Sequence, residues 1–489
     1  MFQRLISKLE PLLWAGLLLL LPLTSLPLFS RLAGGTMVAP PSVLFAGALV
    51  LLWLLPALWR GMKLPAAVLP LLAFLGVALI VSLAAFFLPL PIFRDVPAWR
   101  SELEGFVTLA MGMCVFLAAV AWPQTPQRLA WILRLVNWSG LVMVVWALLQ
   151  TYFWNSSRAF PGWMQTIQGW LTLKELYQGR ASGFAFEPSW LAHQLNMLYL
   201  PLWAAASFLR TSAHRWRLGW FSFENLLLLG GVAALWFSLS RVGLLAFLVT
   251  LGYLLWRFNR WLHGWLSRMV QRSSRLARLG RPLISGLLIG LMLLAYLGAF
   301  FGAAVLLSKF DPRMRTLFDF TALRQMDFMA YANQLVFSER VVYWKTGWDI
   351  WNDHPLGVGL GNAGYYFPQK MSAFGWGLLE TNTVMSRMAG IPNVKSLWVR
   401  LLAETGIAGL AFFAAWLFSI WKSASGLKKD APAAVRIAGL AGQLAIVALL
   451  IEGFSVDTFG LPYLWLTFGL AVAAGRLARQ SSNGGESAR

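Results

Sequence analysis

Apolar segments of about twenty residues recur along almost the whole chain of 489 residues. A helix needs roughly that length to cross a lipid bilayer. The pattern therefore predicts an all-α, polytopic integral membrane protein with about twelve transmembrane helices. The first apolar segment, Pro11 to Phe29, is too long for the core of a cleavable signal peptide, so we interpret it as a span. The predicted spans are residues 11–29, 38–58, 65–89, 105–122, 130–153, 188–209, 219–238, 242–257, 283–307, 397–420, 436–453 and 459–476.

Basic residues fall on one side of this predicted arrangement. The chain has 40 Lys and Arg against 19 Asp and Glu, a formal charge of +21. With a cytoplasmic N-terminus, the clusters around Arg60, Arg215, Lys428 and Arg476 all lie in the cytoplasm, as the positive-inside rule requires. Residues 257–281 carry seven arginines on the same side. We interpret them as a juxtamembrane helix on anionic lipid rather than a nucleic-acid site.

Two long connections fall on the opposite, non-cytoplasmic side. The first runs from Trp154 to Glu187, and the second from Ser308 to Ser396. A connection of about ninety residues in a compact protein is usually functional. The stretch VVYWKTGWDIW within it predicts an amphipathic helix with a tryptophan-rich face. We divide the chain into N-terminal helices with the first loop (1–187), central helices (188–307), a large periplasmic loop capping the site (308–396), C-terminal helices (397–480) and a disordered tail (481–489).

Charged side chains on the non-cytoplasmic side are the candidates for chemistry. Arginine binds phosphate through a planar fork of donors that stays charged. Arginines at a membrane boundary therefore predict a pocket for an anionic lipid headgroup, with a diphosphate as the natural ligand. Two alternatives stay open: Arg241 snorkels to the interface, or Arg340 only pairs with Glu339 or another acidic residue of the loop. The candidates are Arg180, Glu187, Arg241, Arg340, His354 and Lys395.

Other polar motifs have structural interpretations. GLGNAG matches a dinucleotide fingerprint but follows no predicted βαβ unit, so we interpret it as a tight turn. Arg400 and Glu404 are spaced i, i+4 and are predicted to pair. Lys395 lies about half a helical turn away from Glu404 around the helix axis, so it is expected to be free to face the pocket. Glu452 and Asp457 follow at the outer end of the eleventh span as reserve candidates.

Four stretches together resemble the O-antigen ligase and polymerase superfamily of bacterial envelope glycosyltransferases: GRASGFAFEPSWLAHQL, SLSRVGLLAF, HPLGVGLGNAGYYF and KSLWVRLLAETGIAGL. That family transfers glycans from undecaprenyl diphosphate, at the periplasmic face of the inner membrane, to a hydroxyl of lipid A core, another glycan or a protein. The resemblance implies that Arg180 and Arg241 bind the diphosphate. Arg340 resembles the arginine that opens the helix before the HPLGVG turn. The implied pathway is synthesis of O-antigen, capsule or exopolysaccharide.

One position departs from the family pattern. The last stretch of the ligases usually begins with a histidine that activates the acceptor, and here Lys395 stands in its place. Lysine is normally charged and acts as a base only with a large depression of its pKa. We therefore expect Lys395 to bind the departing diphosphate, with Glu187 as the first choice of base and His354 as the second. This pattern is compatible with polymerisation or another transfer to a glycan.

The expected reaction needs no metal and no cofactor, because arginines can stabilise the charge on the leaving diphosphate. One displacement without a covalent intermediate would invert the anomeric carbon, as the resemblance also implies. The expected partners are the lipid-linked donor, a glycan or lipid acceptor and membrane lipids, but no nucleic acid. A transporter or lipid-linked glycan flippase is the alternative, although transporters place polar residues near the midplane of repeated halves. A non-catalytic scaffold leaves the outer arginines unexplained.

Overall fold

The computed structural model describes residues 2–32, 37–87, 89–214, 216–219, 221–272, 281–310, 337–386 and 390–486. Helices make up most of these residues. The first part of the chain forms α1 (Phe2–Leu19), α2 (Pro27–Leu32), α3 (Ser42–Leu49), α4 (Leu55–Trp59), α5 (Leu69–Ala85), α6 (Ala98–Ala121), α7 (Pro126–Ser157), α8 (Gly162–Leu171), α9 (Pro188–Gln194) and α10 (Leu200–Phe208). π-helical turns at Val50–Leu54 and Leu195–Tyr199 join α3 to α4 and α9 to α10, and a 3₁₀ turn at Ala66–Val68 precedes α5.

The second part of the chain is also helical, apart from one short antiparallel pair of strands. The strands are β1 (Arg217–Leu218) and β2 (Phe221–Ser222), with Arg217 opposite Ser222. The helices are α11 (Phe223–Ser238), α12 (Arg241–Arg272), α13 (Arg281–Phe310), α14 (Ser338–Asp353), α15 (Phe367–Lys370), α16 (Ala373–Trp376), α17 (Leu379–Ser386), α18 (Leu397–Ala424), α19 (Ala433–Glu452) and α20 (Pro462–Glu486). A 3₁₀ turn at Ala363–Tyr366 precedes α15.

Within the described residues, seven helical segments are long and apolar enough to cross a membrane. Shorter apolar helices add Leu9–Leu19, Phe223–Ser238 and Ile289–Gly298. The chain is therefore a mostly helical, multi-pass membrane protein, while the predicted number of about twelve spans stays an expectation. The seven segments are Ser42–Trp59, Ala66–Ala85, Ala98–Ala121, Pro126–Ser157, Arg241–Trp265, Leu397–Ala424 and Ala433–Glu452.

Two predicted spans differ from the observed helices. Helix α1 begins at Phe2 and ends at Leu19, so the predicted span 11–29 is divided. Pro22 and Pro27 follow, and proline cannot continue a helical hydrogen-bond ladder. The predicted span 242–257 is the first half of the longer helix α12, which continues into the arginine-rich segment.

Several predicted segments extend beyond the described residues. Residues 311–336 and 387–389 of the large connection lie outside them, and so do Arg215 and residues 273–280 of the basic clusters. The described part of the large connection contains α14 to α17. Helix α20 continues to Glu486, into the tail for which the sequence predicts disorder, and residues 487–489 again lie outside.

Aromatic side chains pack the centre of the helix bundle. Trp416 of α18 meets Phe116 of α6 at a ring-centroid distance of 5.2 Å and Trp465 of α20 at 5.1 Å. A Cβ atom on Gly112 would lie 2.2 Å from the Trp465 ring, so glycine allows α6 and α20 to approach closely. Tight packing of this kind holds helices together in lipid. This packing fixes the positions of the helix ends, where the candidate side chains lie.

Candidate functional site

Arg180 binds the turn between α11 and α12, and Arg241 is the first residue after that turn. Leu239 has a left-handed backbone (φ +49°) and ends α11, and α12 begins with Arg241. The Arg180 Nε atom donates to the Ser238 carbonyl at 2.9 Å, three residues before Arg241. The Ala181 amide also donates to the Phe237 carbonyl at 2.9 Å. The structure therefore brings the two arginines to one turn, although they are distant in sequence.

Glu187 lies at the end of the segment that contains Arg180, directly before α9. It precedes α9 as its N-cap residue but makes no side-chain capping bond. Its carboxylate instead accepts a short hydrogen bond from the Ser189 hydroxyl. Burial raises the pKa of Tyr177, the Glu187 charge raises it further, and the Arg180 charge lowers it. Tyr177 therefore lies within electrostatic reach of both charged residues, and no sequence pattern had identified it.

A buried polar group lies behind the two arginines. The Asn196 amide donates to the Gly243 carbonyl at 2.8 Å, one turn into α12, and to Glu452 Oε1 at 2.7 Å. His193 Nδ1 lies 3.6 Å from Glu452 Oε2, and both side chains are almost fully buried. Glu452, a reserve candidate, thus holds the end of α19 against the start of α12. His193 and Asn196 lie in an apolar sequence stretch, which gave no signal of this role.

Arg340 connects the large loop to two other segments. Its Nη1 atom donates to the Lys395 carbonyl at 3.3 Å and to the Ser455 carbonyl at 3.0 Å. In the part of the chain that the structure describes, no ion pair joins Arg340 to Glu339. These two hydrogen bonds therefore attach the start of α14 to the backbone at Lys395 and at Ser455.

Lys395 has a strained backbone and a paired side chain. Its φ is +56°, and its backbone N–H donates to Asp457 Oδ2 at 3.1 Å. Its ammonium lies 3.1 Å from Glu380 Oε1 and 5.7 Å from the centre of the Tyr343 ring. Lys395 thus pairs with Glu380, not with Glu404, and its expected role at the pocket stays a prediction. Since the Lys395 side chain is 33% exposed and that of Glu380 is 47% exposed, water screens the pair, and such pairs contribute little to stability.

Arg400 and Glu404 pair as their i, i+4 spacing predicts, with Arg400 Nε 2.9 Å from Glu404 Oε2. Arg400 Nη1 also donates to the Asp457 carbonyl at 2.6 Å. Helix α18 is kinked two residues after Glu404, at Gly406, where φ is +64°. The buried ion pair thus stands directly before the kink and ties it to the segment after α19.

The glycine-rich turn packs onto that kink. The Val358 and Gly359 amides donate to the Ala403 and Glu404 carbonyls, each at 3.0 Å. A Cβ atom on Gly357 would lie only 2.6 Å from the Glu404 carbonyl oxygen. Within GLGNAG, a Cβ atom on Gly361 would lie 2.4 Å from the Ser101 carbonyl oxygen, so this stretch is also a close-packing turn that needs no nucleotide.

His354 lies away from the arginines. It follows the end of α14, about 21 Å along the helix from Arg340 at 1.5 Å per residue. Its ring contacts Tyr366 at a centroid distance of 4.9 Å, and its carbonyl accepts from the Gly357 amide at 2.8 Å. These contacts support the turn that precedes the α18 kink. The structure does not group His354 with Arg180 and Glu187.

Metal binding finds no support among the described side chains, which contain no group of three or more His, Cys, Asp or Glu residues able to hold an ion. The expectation of a reaction without metal or cofactor stays a prediction.

The fold and the charges at one end of its helices define a multi-pass membrane protein with a polar site at a membrane boundary. Residues 226–414 match the family model described as O-antigen ligase. The match confirms the predicted resemblance to the O-antigen ligase superfamily over these residues. It includes Arg241, Arg340, His354 and Lys395 and begins after Arg180 and Glu187. No curated protein matches the chain. The family supports a glycosyltransferase-like membrane enzyme of polysaccharide biosynthesis.

Proposed function

We propose that the protein transfers or polymerises a glycan from undecaprenyl diphosphate onto an acceptor hydroxyl at the periplasmic face of the inner membrane. The observation that carries the proposal is that Arg180 binds the Ser238 carbonyl in the turn between α11 and α12, directly before Arg241. Two guanidinium groups at the membrane end of a helix pair suit a lipid diphosphate, because each offers a planar fork of donors.

An apolar cleft below this turn supports a lipid-linked donor. Its volume is about 300 Å³, and it lies between α10, α11 and α12. One wall runs from Asn196 to Phe208, about 18 Å at 1.5 Å per residue, and the other includes Phe247 and Phe258. Asn196 also contacts the carbonyl of Gly243, two residues after Arg241. The cleft therefore begins beside the arginines, as a site for an isoprenoid chain ending in a diphosphate requires.

The arginines would act mainly on the leaving group. In the proposed step the acceptor oxygen attacks the anomeric carbon, and the bond from that carbon to the diphosphate oxygen breaks. Negative charge develops on the diphosphate, where Arg180 and Arg241 stabilise it. The anomeric carbon is inverted, because one displacement occurs without a covalent intermediate.

The acceptor proton needs a base, and we assign it to Glu187. Glu187 shares its segment with Arg180 and is within electrostatic reach of Tyr177. Lys395 carries an ion pair with Glu380, so we assign it a cationic role toward phosphate. General-base catalysis contributes roughly 10²–10⁴-fold. Glu187→Gln should therefore lower the transfer rate by about that factor.

The test of the proposal is transfer by the purified full-length protein with a lipid-linked glycan donor and a glycan acceptor. Arg241→Ala should abolish product formation, and Arg241→Lys should also fail because lysine lacks the bidentate fork. Arg260→Ala is the matched control, since Arg260 is an exposed arginine on the same helix, about 28 Å from Arg241. It should retain normal activity.

Two results would contradict the proposal. Normal transfer by Arg241→Ala would leave Arg241 as an interfacial anchor only. Movement of intact lipid-linked glycan across the membrane, without release of undecaprenyl diphosphate, would instead favour the flippase alternative.

A further inference from the structure

A polar cavity of about 290 Å³ lies where α18 ends, α19 begins and α20 passes. Among its lining residues are Lys422, Lys428, Asp430 and Arg479. Lys422 stands 27 residues after Lys395, about 40 Å along α18 at 1.5 Å per residue. The cavity is therefore at the opposite end of the bundle from the candidate site.

The cavity gathers positive charge from two distant parts of the chain. Lys422 lies in the last turn of α18 and Lys428 in the connection to α19, whereas Arg479 belongs to α20. All three cationic residues are exposed, and the acidic residue in the lining is Asp430. The side chains that line the cavity thus carry a formal excess of two positive charges. The sequence predicts basic clusters here but not that they meet around one cavity.

Close packing forms the walls of the cavity. A Cβ atom on Gly475 would lie 2.3 Å from the Ser423 carbonyl oxygen, so α20 and α18 touch through backbone. The Gln443 amide donates to the Ser425 hydroxyl at 2.9 Å. Gln443 in turn accepts from Arg257 Nη1 at 2.6 Å. The cavity is therefore preformed, and a further arginine supports its wall from behind.

We propose that this cavity binds a phosphate group carried by the headgroup of an anionic phospholipid. Lysine and arginine are the side chains that bind phosphate, and basic pockets between transmembrane helices accept anionic lipid headgroups. The position at the ends of two membrane-crossing helices, Leu397–Ala424 and Ala433–Glu452, places it at headgroup depth. A soluble phosphate ester has the same chemistry without the lipid, and the experiment separates the two.

The experiment measures phosphatidylglycerol binding to the full-length protein in detergent by native mass spectrometry. Each cation near a membrane surface contributes about 1 kcal/mol, or about fivefold in affinity. Lys428→Gln and Arg479→Gln should each weaken binding by about that factor. Lys429→Gln is the matched control, because Lys429 is an exposed neighbour of equal charge that does not line the cavity. It should leave binding unchanged.

Three outcomes would overturn the inference. Equal losses in Lys428→Gln and Lys429→Gln would show a diffuse surface potential instead of a site. Equal binding of phosphatidylcholine with the same acyl chains would show attachment through the chains alone. Displacement of phosphatidylglycerol by millimolar glycerol phosphate would assign the cavity to a soluble ligand. Size-exclusion profiles check that the variants are folded. Since the measurement uses no glycan donor, it is independent of the proposed transfer.

Discussion

Gly357→Ala should destabilise the protein more than strain of the backbone alone can explain. Gly357 has φ +94°, and its added Cβ atom would lie 2.6 Å from the Glu404 carbonyl oxygen and 2.7 Å from the Gly406 amide nitrogen. Both neighbours are backbone atoms of the kinked helix α18, so they cannot move aside as a side chain can. The turn or the helix must shift.

Gly61→Ala is the matched control for this substitution. Gly61 has φ +90°, and its added Cβ atom would meet nothing within 4 Å. A left-handed conformation costs a residue with a Cβ atom about 1–2 kcal/mol, and both variants pay that cost. Forcing extra volume into a packed contact adds about 1–3 kcal/mol for Gly357→Ala only. The expected losses are therefore about 2–5 kcal/mol for Gly357→Ala and about 1–2 kcal/mol for Gly61→Ala.

The assay is thermal unfolding of both variants in the same detergent, followed by tryptophan fluorescence. The midpoint temperature of unfolding should be clearly lower for Gly357→Ala than for Gly61→Ala. Transfer activity should fall with it, because the turn braces the helix that begins beside Lys395. Equal midpoints for the two variants would refute the reasoning, since they would show that the close approach between the turn and α18 carries no cost.

Three further predictions concern charged side chains. Lys395→Ala should lower the transfer rate about tenfold or more, since a hydrogen bond to a charged group contributes about 1.5–3 kcal/mol. Lys395→Arg should retain much of the activity. An inactive Lys395→Arg would favour a neutral lysine base. Glu404→Gln should cost roughly 3–5 kcal/mol of stability, because it leaves the buried Arg400 charge without its carboxylate. The control Glu104→Gln, in an exposed i, i+4 pair, should cost about 0–1 kcal/mol. Equal losses of the two variants in thermal unfolding would contradict this. Burial lowers the pKa of His214, so the unfolded chain takes up a proton before the folded chain does. The stability should therefore fall as pH drops below about 6.5. His214→Asn should depend less steeply on pH, and an unchanged slope of stability against pH would refute the assignment.

The sequence was informative where one physical rule acts locally. The i, i+4 pair of Arg400 and Glu404 follows from helix geometry alone, and the structure contains it. The packing role of GLGNAG follows from its glycines and the missing βαβ context. The all-helical membrane class follows from the length of the apolar segments.

Other features depend on contacts between distant segments, which no local pattern reveals. Lys395 pairs with Glu380, a residue of a loop helix that no motif singled out. His193 and Asn196 reach Glu452 only because the π-helical turn Leu195–Tyr199, directly after α9, packs against α19. The first predicted span failed for a more local reason, since its prolines interrupt an otherwise apolar segment.

The segment after α19 joins the two parts of the candidate site. Glu452, at its start, is bound by Asn196, which also holds the first turn of the helix that begins with Arg241. Three residues later the Ser455 carbonyl accepts from Arg340, and five residues later the Asp457 carboxylate accepts from the Lys395 amide. The spacing between the arginine turn and Lys395 therefore depends on one segment of six residues, 452–457. Since Arg340 donates to the carbonyls of Lys395 and Ser455, its contacts favour a positioning role over direct binding of the diphosphate.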